Sequence, residues 1–551
     1  MKLDLPGGSG LTRSPLVTLV AVGVALAAVA GMATLGGDAD ASGPSGEATR
    51  APVERTTLVC PQPTGLSRAT TWYTGFTPAG DASTGDTSTG DGEPGSAGLL
   101  PLTEYVPGGG TGADEDEEED EEETEDTESA EDDGAEDEDE DGDDADAEPD
   151  DDRILLQQEP GTPVSDSTKD ADAPALAGSA DHGTAPGWTV QQTTLIRAAA
   201  GSGRGLMGTS CQRPDTSFWF AGASTAESRS DYVHLTNPDD SATVVDLDLY
   251  GPEGRMTLAV DEGVTVPGGS TVRVRLSTLT DANETDVGVH VTARTGRVGA
   301  QIEAVDSELG ADWIAPVSAP EGAVVMPGIP ADAETVRLVA FAAGEGDVNV
   351  GVGFAGPTAT ITPAGNESLY LRSGMVESVD LETVTQGEAG SLVLTPNEGS
   401  GPIVAALLVT RGEDDEQELA FIPATAPVEA RTTASGNVPE GAELVLTAME
   451  DDVEVEVTAS PGDEGGSAVS DTLTVAAGTT ATYAPELPDD TEGRYALTVR
   501  RTGGEGLLYA ARVLTEERDD IPMFTVQTLP DDQSTVSVPE TGPNLGVLGR
   551  R

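Results

Sequence analysis

The stretch from Tyr232 to Leu276 constrains the fold most, because its apolar residues recur at every second position. Between Val244 and Tyr250 three apolar side chains alternate with Asp246 and Asp248, and clusters of Asn, Pro, Asp and Gly end each short run. Such alternation between turn residues is typical of antiparallel strands with one buried face. The stretch therefore predicts strands joined by tight turns, and we find no helical period after residue 36.

The same pattern returns twice downstream. Corresponding runs begin at Val233, Val336 and Leu444, which is a spacing of about 105 residues, and each unit contains roughly seven short strands, as in a β-sandwich. We predict an all-β protein with three tandem β-sandwich (Ig-like) units. Their ranges are 51–315, 316–425 and 426–530, and residues 531–551 form a C-terminal edge strand and tail.

An acidic run interrupts the first predicted unit. Residues 114–152 contain 29 acidic residues among 39 positions and no basic residue. Their surroundings are rich in Gly, Ser, Thr and Pro, so residues 80–187 are predicted to form a disordered acidic insertion. Short apolar islands at 99–102 and 154–156 leave open that strands of the first unit return on either side of the run. The net charge of −73 argues against nucleic acid as a partner.

The N-terminus predicts export. Residues 16–35 are uncharged and long enough to cross a bilayer as a helix. We predict a cytoplasmic tail at 1–14, a transmembrane helix or signal-anchor at 15–36 that binds the membrane, and a linker at 37–50. Two Ala-x-Ala sequences leave open a cleaved signal and a secreted product. Otherwise the protein is a single-pass cell-membrane protein with its C-terminal domains outside the cell.

The two cysteines predict a disulfide. Cys60 and Cys211 are the only cysteines, and each follows a strand-like run and precedes prolines. An even pair in an exported chain is typical of a disulfide, and two adjacent strands of one sheet could present these residues side by side.

The sequence indicates no catalytic, cofactor-binding or metal-ligating residue. The histidines lack the spacing of a zinc site, and the turn at 237–240 lacks the spacing of an EF-hand, although loops of this kind can hold calcium. The densest aromatic cluster is Phe218, Trp219 and Phe220. It is either a contact site, for example for a glycan, or part of the core of the first sandwich.

Several sequence blocks resemble an uncharacterised actinobacterial family of exported proteins, a domain of unknown function. They are the apolar N-terminal segment, VCPQP at 59–63, the block from Ser210 to Gly222, HLTNPD at 234–239 and VDLDLYGPEG at 245–254. Members of that family lie near WhiB-type regulators and glycosyltransferases, which implies a role in the cell envelope. The resemblance implies no catalytic residue.

These observations predict a non-enzymatic cell-envelope or surface protein that acts by binding through its sandwich modules, with an envelope protein or a glycan as partner. One alternative is an enzyme or enzyme subunit that acts on cell-wall glycan, which a cleft with converging carboxylates would favour. Another is a calcium-rigidified adhesive stalk, which a calcium-dependent melting temperature would favour.

Overall fold

The computed structural model describes residues 49–66, 68–80, 95–106, 153–197, 203–259, 262–318, 323–382, 384–397, 399–413, 416–518 and 521–538. The predicted membrane segment at 15–36 and the acidic run at 114–152 lie outside the described residues. Within the described ranges the regular elements are β-strands and two short 3₁₀ turns, His182–Thr184 and Leu276–Thr278. In this part of the chain, no helix has the length and apolarity needed to cross a membrane. The predicted all-β fold class is confirmed.

The chain divides into two compact units. Pro52–Val536 is the large unit, and residues up to Ala51 together with those from Ser537 onward make a small terminal one. A two-stranded sheet pairs the first and last of the described strands, Thr49–Pro52 and Thr535–Val538.

The N-terminal strands of the large unit build a first pair of sheets. The first ten of the described strands are β1 (Thr49–Pro52), β2 (Arg55–Cys60), β3 (Ala69–Phe76), β4 (Ala97–Pro101), β5 (Thr103–Glu104), β6 (Leu155–Gln157), β7 (Val164–Thr168), β8 (Leu176–Asp181), β9 (Thr189–Ile196) and β10 (Gly205–Ser210). The sheets have the orders β10-β9-β3-β7 and β2-β8-β4-β6. A core that includes Leu58, Tyr73 and Leu99 lies between them.

A second pair follows directly. Its strands are β11 (Ser217–Ala223), β12 (Arg229–Asn237), β13 (Thr243–Gly251), β14 (Gly254–Arg255), β15 (Val264–Val266), β16 (Ser270–Arg275), β17 (Val287–Ala293), β18 (Gly299–Asp306) and β19 (Gly310–Ile314). One sheet has the order β11-β17-β13-β14, with β15 also on β13, and the other has the order β19-β18-β12-β16-β5. In β13 the alternate residues Val245, Leu247 and Leu249 are buried in the core between the sheets, as the sequence predicts.

The third pair repeats this plan. Its strands are β20 (Val324–Ile329), β21 (Ala333–Ala342), β22 (Val348–Ala355), β23 (Thr360–Ile361), β24 (Ser368–Leu371), β25 (Glu377–Asp380), β26 (Gly390–Pro396), β27 (Ile403–Arg411) and β28 (Glu418–Pro423). The sheets have the orders β20-β26-β22-β23, with β24 also on β22, and β25-β21-β27-β28.

The fourth pair completes the large unit. Its strands are β29 (Arg431–Asn437), β30 (Ala442–Met449), β31 (Val453–Ala459), β32 (Val469–Val475), β33 (Thr479–Tyr483), β34 (Tyr495–Gly503), β35 (Leu507–Arg518) and β36 (Ile521–Thr528), and β37 (Thr535–Val538) is the partner of β1. The sheets have the orders β29-β34-β31-β32 and β33-β30-β35-β36. Strand β36 is an edge strand of its sheet, and β37 lies within the range 531–551 for which the sequence predicts an edge strand and tail.

The described residues thus form four pairs of sheets, which we call sandwiches one to four, where the repeat spacing predicts three units. The range 51–315, predicted as one sandwich, contains sandwiches one and two. Sandwich one lacks the apolar alternation that marks the other three. In β9, for example, the consecutive residues Gln191, Gln192, Thr193 and Thr194 are all buried, so a search for apolar periodicity passes over this strand.

The predicted disordered insertion at 80–187 is also revised by the structure. Strands β4 to β8 lie within it, and the apolar islands at 99–102 and 154–156 contribute to β4 and β6, one of the possibilities left open by the sequence. Strands β7 and β8 carry few large apolar residues, but ladder hydrogen bonds to β3, β2 and β4 satisfy their backbones. The large unit therefore contains ordered strands on both sides of the acidic run.

Candidate functional site

The last strand of each sandwich meets the last strands of the others. Strands β10, β19, β28 and β36 are each the edge strand of a sheet and each form a hairpin with the strand before them. Strand β10 contacts β19 and β36, and β28 contacts the same two strands. We call this meeting point the central junction. It brings sandwiches one to four together within the large unit.

One carboxylate joins all four sandwiches at the central junction. Asp312 of β19 is fully buried. Its Oδ1 accepts hydrogen bonds from the backbone N–H of Gly208 in β10 at 3.1 Å and from the Thr525 hydroxyl in β36 at 3.0 Å. Its Oδ2 accepts one from the backbone N–H of Phe421 in β28 at 3.2 Å. Burial raises the pKa of Asp312 to about 8, although these donors favour the charged form.

An ion pair lies next to this carboxylate. Arg204, just before β10, and Glu418, the first residue of β28, are both buried and lie 2.5 Å apart. Arg204 also donates to the Gln417 carbonyl at 3.0 Å. Burial raises the pKa of Glu418 to about 7, and Arg204 offsets part of this rise. The pair links sandwich one to sandwich three across the central junction.

Close packing at the junction requires a residue without a side chain at position 208. A Cβ at Gly208 would lie 2.7 Å from Thr525 Cγ2 and 2.9 Å from Thr525 Oγ1, closer than two such atoms approach. The same Cβ would lie 3.1 Å from Cδ of Gln527. Glycine therefore allows β10 and β36 to approach one another.

A cavity of about 300 Å³ opens beside the central junction, and we call it the junction cavity. All four sandwiches contribute to its wall, including Gly208, Trp313, Phe421 and Gln527. Two other cavities, of about 690 Å³ between sandwiches three and four and about 350 Å³ on the outer face of a sheet in sandwich two, each involve fewer sandwiches. The junction cavity is therefore our candidate functional site.

Two side chains on the cavity wall each have a buried N–H without a partner among the described residues. Gln527 accepts a hydrogen bond from the buried Arg512 through Oε1, whereas its Nε2 has no partner among the described residues. Trp313 is 2% exposed, and its Nε1 likewise has no partner. Burial lowers the pKa of Arg512 to about 9. An unpaired buried N–H is costly, and both nitrogens are enclosed by protein atoms, so the cavity does not expose them to a ligand.

The charged residues on the cavity wall are Arg213, Asp531 and Asp532. Arg213 donates to the side chain of Gln533 and, at 2.9 Å, to the carbonyl of Asp532. The Asp532 carboxylate lies 2.5 Å from Arg431 Nε, and burial lowers the pKa of Arg213. These contacts hold the segment after β36 against the segment after β10.

The predicted aromatic cluster is divided between two environments. Phe218 and Phe220 are buried in the core of sandwich two, and Phe218 also lines the junction cavity. Trp219 points to the other face of β11, where its ring stacks on His290 with centroids 3.7 Å apart. It also contacts Phe341 of sandwich three. The cluster therefore packs both within sandwich two and between sandwiches two and three.

The predicted disulfide is confirmed. Cys60 ends β2 and Cys211 follows β10, and their sulfur atoms are bonded. The two strands belong to different sheets of sandwich one, not to one sheet, but Val59 and Gln212 exchange backbone hydrogen bonds beside the bond. Cys211 also lines the junction cavity.

The other residues considered in the sequence have local partners. Asp246 and Asp248 pair with Arg294 and Arg255 on the outer face of β13. Asp239, in the turn considered for calcium, pairs with Arg297 at 2.9 Å. Among the described residues no group of three or more His, Cys, Asp or Glu side chains is placed to hold a metal ion.

The sequence reasoning missed the residues that build the central junction. Asp312 was the one with a visible signal, because it is a single acid within the apolar run GADWI. The partners Gly208, Phe421 and Thr525 carry no such signal. Each contributes only a backbone N–H or a hydroxyl, and the geometry of these hydrogen bonds depends on how the four sandwiches dock.

A protein-family model matches residues 164–486, from β7 in sandwich one to β33 in sandwich four, which is more than half of the chain. The model describes a family of unknown function. No curated protein and no solved structure matches the chain.

Proposed function

Because the chain belongs to the DUF5719 family, whose function is unknown, we propose a function from the junction cavity: the protein is a non-enzymatic binding protein of the cell envelope. The junction cavity is its ligand site. The observation that carries this proposal is the composition of the cavity wall, to which all four sandwiches contribute. A ligand held there contacts every sandwich at once, so binding stabilises their arrangement.

We further propose that the segment at 15–36 anchors the protein in the membrane and that the large unit lies outside the cell. The Cys60–Cys211 disulfide supports this location, because disulfides persist in oxidising compartments. The strong negative charge supports a soluble surface that stays apart from anionic polymers.

Site-specific photo-crosslinking in living cells tests the proposal. A photo-reactive amino acid at Ser318, on the wall of the junction cavity, should form an adduct with the ligand. The same amino acid at Glu367, an exposed position in sandwich three, serves as the control and should not form this adduct. Adducts of equal yield at both positions, or none at Ser318, would refute the cavity as the binding site. Turnover of cell-wall glycan fragments by the purified chain would refute the non-enzymatic role.

A further inference from the structure

The cavity of about 690 Å³ between sandwiches three and four is open to solvent, and we call it the lateral cleft. Its wall includes Pro357, Glu388 and Arg411 of sandwich three and Glu443 and Thr482 of sandwich four. Pro357, Glu388 and Thr482 are exposed and Glu443 is half-buried, so a ligand can reach these side chains. The lateral cleft shares no wall residue with the junction cavity.

The lateral cleft has two carboxylates that the protein leaves unpaired. Arg411, the one basic residue on its wall, pairs with Asp332 at 2.7 Å and donates to the Thr515 hydroxyl at 3.1 Å. Glu388 and Glu443 have no ion pair or side-chain hydrogen bond with any described residue. A metal ion needs more ligands than two, and the described ranges place no group of three such side chains together. The cleft therefore favours an organic cation, such as the side chain of Lys or Arg.

One rim of the lateral cleft is a strand edge with free backbone groups. Strand β33 is the edge strand of its sheet, and the Thr480 N–H donates to the Gly356 carbonyl at 2.9 Å, so it points away from β30. Residues two apart in a strand direct their backbone groups to the same side, so those of Thr482 also point away from β30. They have no partner among the described residues, and an extended peptide can pair with them as an added strand.

The charge of the chain decides between the occupants of this edge. A second copy of the chain would bring a net charge of −73 to a cleft that is itself negative, and an acidic peptide would meet the same repulsion. A basic peptide is attracted instead. Glu443 on β30 lies two strand spacings, about 10 Å, from an added strand, and the side chains of Lys or Arg and Glu443 together can span this gap.

We propose that the lateral cleft binds an extended basic segment of a partner protein. The segment pairs with the Thr482 edge of β33 and places a Lys or Arg side chain at Glu443. This surface is separate from the junction cavity, so the proposal goes beyond the ligand site proposed above and fails or stands independently of it.

Three labelled peptides test the proposal on the full chain by fluorescence anisotropy. The basic peptide alternates Lys and Val, the acidic peptide alternates Glu and Val, and the proline peptide alternates Lys and Pro, which keeps the charge but cannot form a strand. The basic peptide should bind, and more weakly as salt is added. The other two should bind about tenfold more weakly or less. Equal binding of either, or no binding of the basic peptide, would overturn the proposal.

Two pairs of variants locate the bound peptide. Glu443→Gln should lower the affinity for the basic peptide about tenfold, whereas Glu505→Gln removes the same charge at an exposed position of sandwich four outside the cleft and should leave it unchanged. Thr482→Pro removes the free N–H without breaking a bond to β30 and should lower the affinity by a similar factor. Thr482→Val retains the N–H and should retain the affinity.

Circular dichroism verifies that each variant is folded. Unchanged affinity in folded Glu443→Gln and Thr482→Pro variants would show that the basic peptide binds elsewhere, which contradicts the proposal. Light scattering of the chain without peptide tests the other occupant. A dimer that Thr482→Pro dissociates would show that this edge pairs with a second copy and not with a basic partner.

Discussion

At the residue scale, Asp312 does what no apolar residue could do at the same position. It is fully buried, and its two oxygens accept hydrogen bonds from β10, β28 and β36. In the nearby ion pair, Arg204 binds Glu418 and also donates a hydrogen bond to the Gln417 carbonyl. Asp312 therefore specifies how the four sandwiches dock at the expense of burying an ionisable group.

The raised pKa of Asp312 predicts a dependence of stability on pH. A carboxyl whose pKa is higher in the folded protein than in the unfolded chain contributes stability below the unfolded value, and this contribution is lost as the pH rises through the folded value. For Asp312 the window runs from about 4 to about 8. Asp312→Asn has no such titration and has lost its acceptor for the Phe421 N–H.

The Asp312→Asn variant should therefore be less stable than the wild type at pH 5. The difference between their free energies of unfolding, called the gap, should narrow by about 1 kcal/mol per pH unit as the pH rises toward 8. Urea unfolding at each pH measures the gap. Asp172→Asn, at an exposed position, is the control for the general effect of removing one acid, and its gap should stay constant. A constant gap for Asp312→Asn would contradict the prediction.

The residues that could be predicted are those that act within one sandwich. The Cys60–Cys211 disulfide follows from the number of cysteines and from the residues around each. The burial of Val245, Leu247 and Leu249 follows from the alternation of apolar and polar residues along the strand. The partners of Asp312 come from three other sandwiches, between about 100 and 210 residues away in the chain. An apolar period of two shows which face of a strand is buried in its own sandwich. It does not show how one sandwich docks on another.

At the element scale, the closing hairpins share one role despite different sequences. Strands β10, β19, β28 and β36 each present one edge to the strand before them and the other edge to the central junction. This arrangement covers four sheet edges that would otherwise offer unpaired backbone groups to other chains. Sandwich one contributes β10 to the central junction as the other sandwiches contribute their last strands, although its polar strands β7 to β9 could not be recognised from apolar periodicity.

A substitution at Gly208 tests how closely the hairpins that end in β10 and β36 pack. Gly208→Ala places a methyl group 2.7 Å from Thr525 Cγ2, so β10 and β36 must separate or distort. We expect a loss of about 1–3 kcal/mol in the free energy of unfolding, measured by urea denaturation. Gly346→Ala adds the same methyl group where no heavy atom lies within 4 Å, and its stability should change by less than about 0.5 kcal/mol. Equal effects of the two changes would show that the strands are not closely packed at position 208.

At the scale of the whole large unit, the sandwiches close a circuit of contacts. Buried apolar clusters join sandwich one to two, two to three, three to four, and four back to one through Leu206 and Met523. A polar contact adds to the last of these, since the Ser435 hydroxyl donates to the Thr74 carbonyl at 2.6 Å. Each sandwich thus depends on two neighbours and on the central junction.

This circuit predicts that sandwiches one to four unfold together. All four tryptophans of the chain lie in the first two sandwiches, at positions 72, 188, 219 and 313, whereas far-UV circular dichroism reports on all the strands. In urea, the transitions seen by tryptophan fluorescence and by circular dichroism should have the same midpoint and slope. Circular dichroism that changes in a second step after the fluorescence transition would show that sandwiches three and four are independent.

The bond between Cys60 and Cys211 has a consequence for a chain whose backbone is cut. The two cysteines are 151 residues apart, and the acidic run at 114–152 lies between them, so a break within the run leaves both fragments covalently joined. With a site-specific protease sequence in place of residues 130–136, the cleaved protein should migrate as one species in a denaturing gel without reductant and as two with it. Cys60→Ser should give two species in both gels. The disulfide would then keep the two parts of sandwich one covalently joined after the cut.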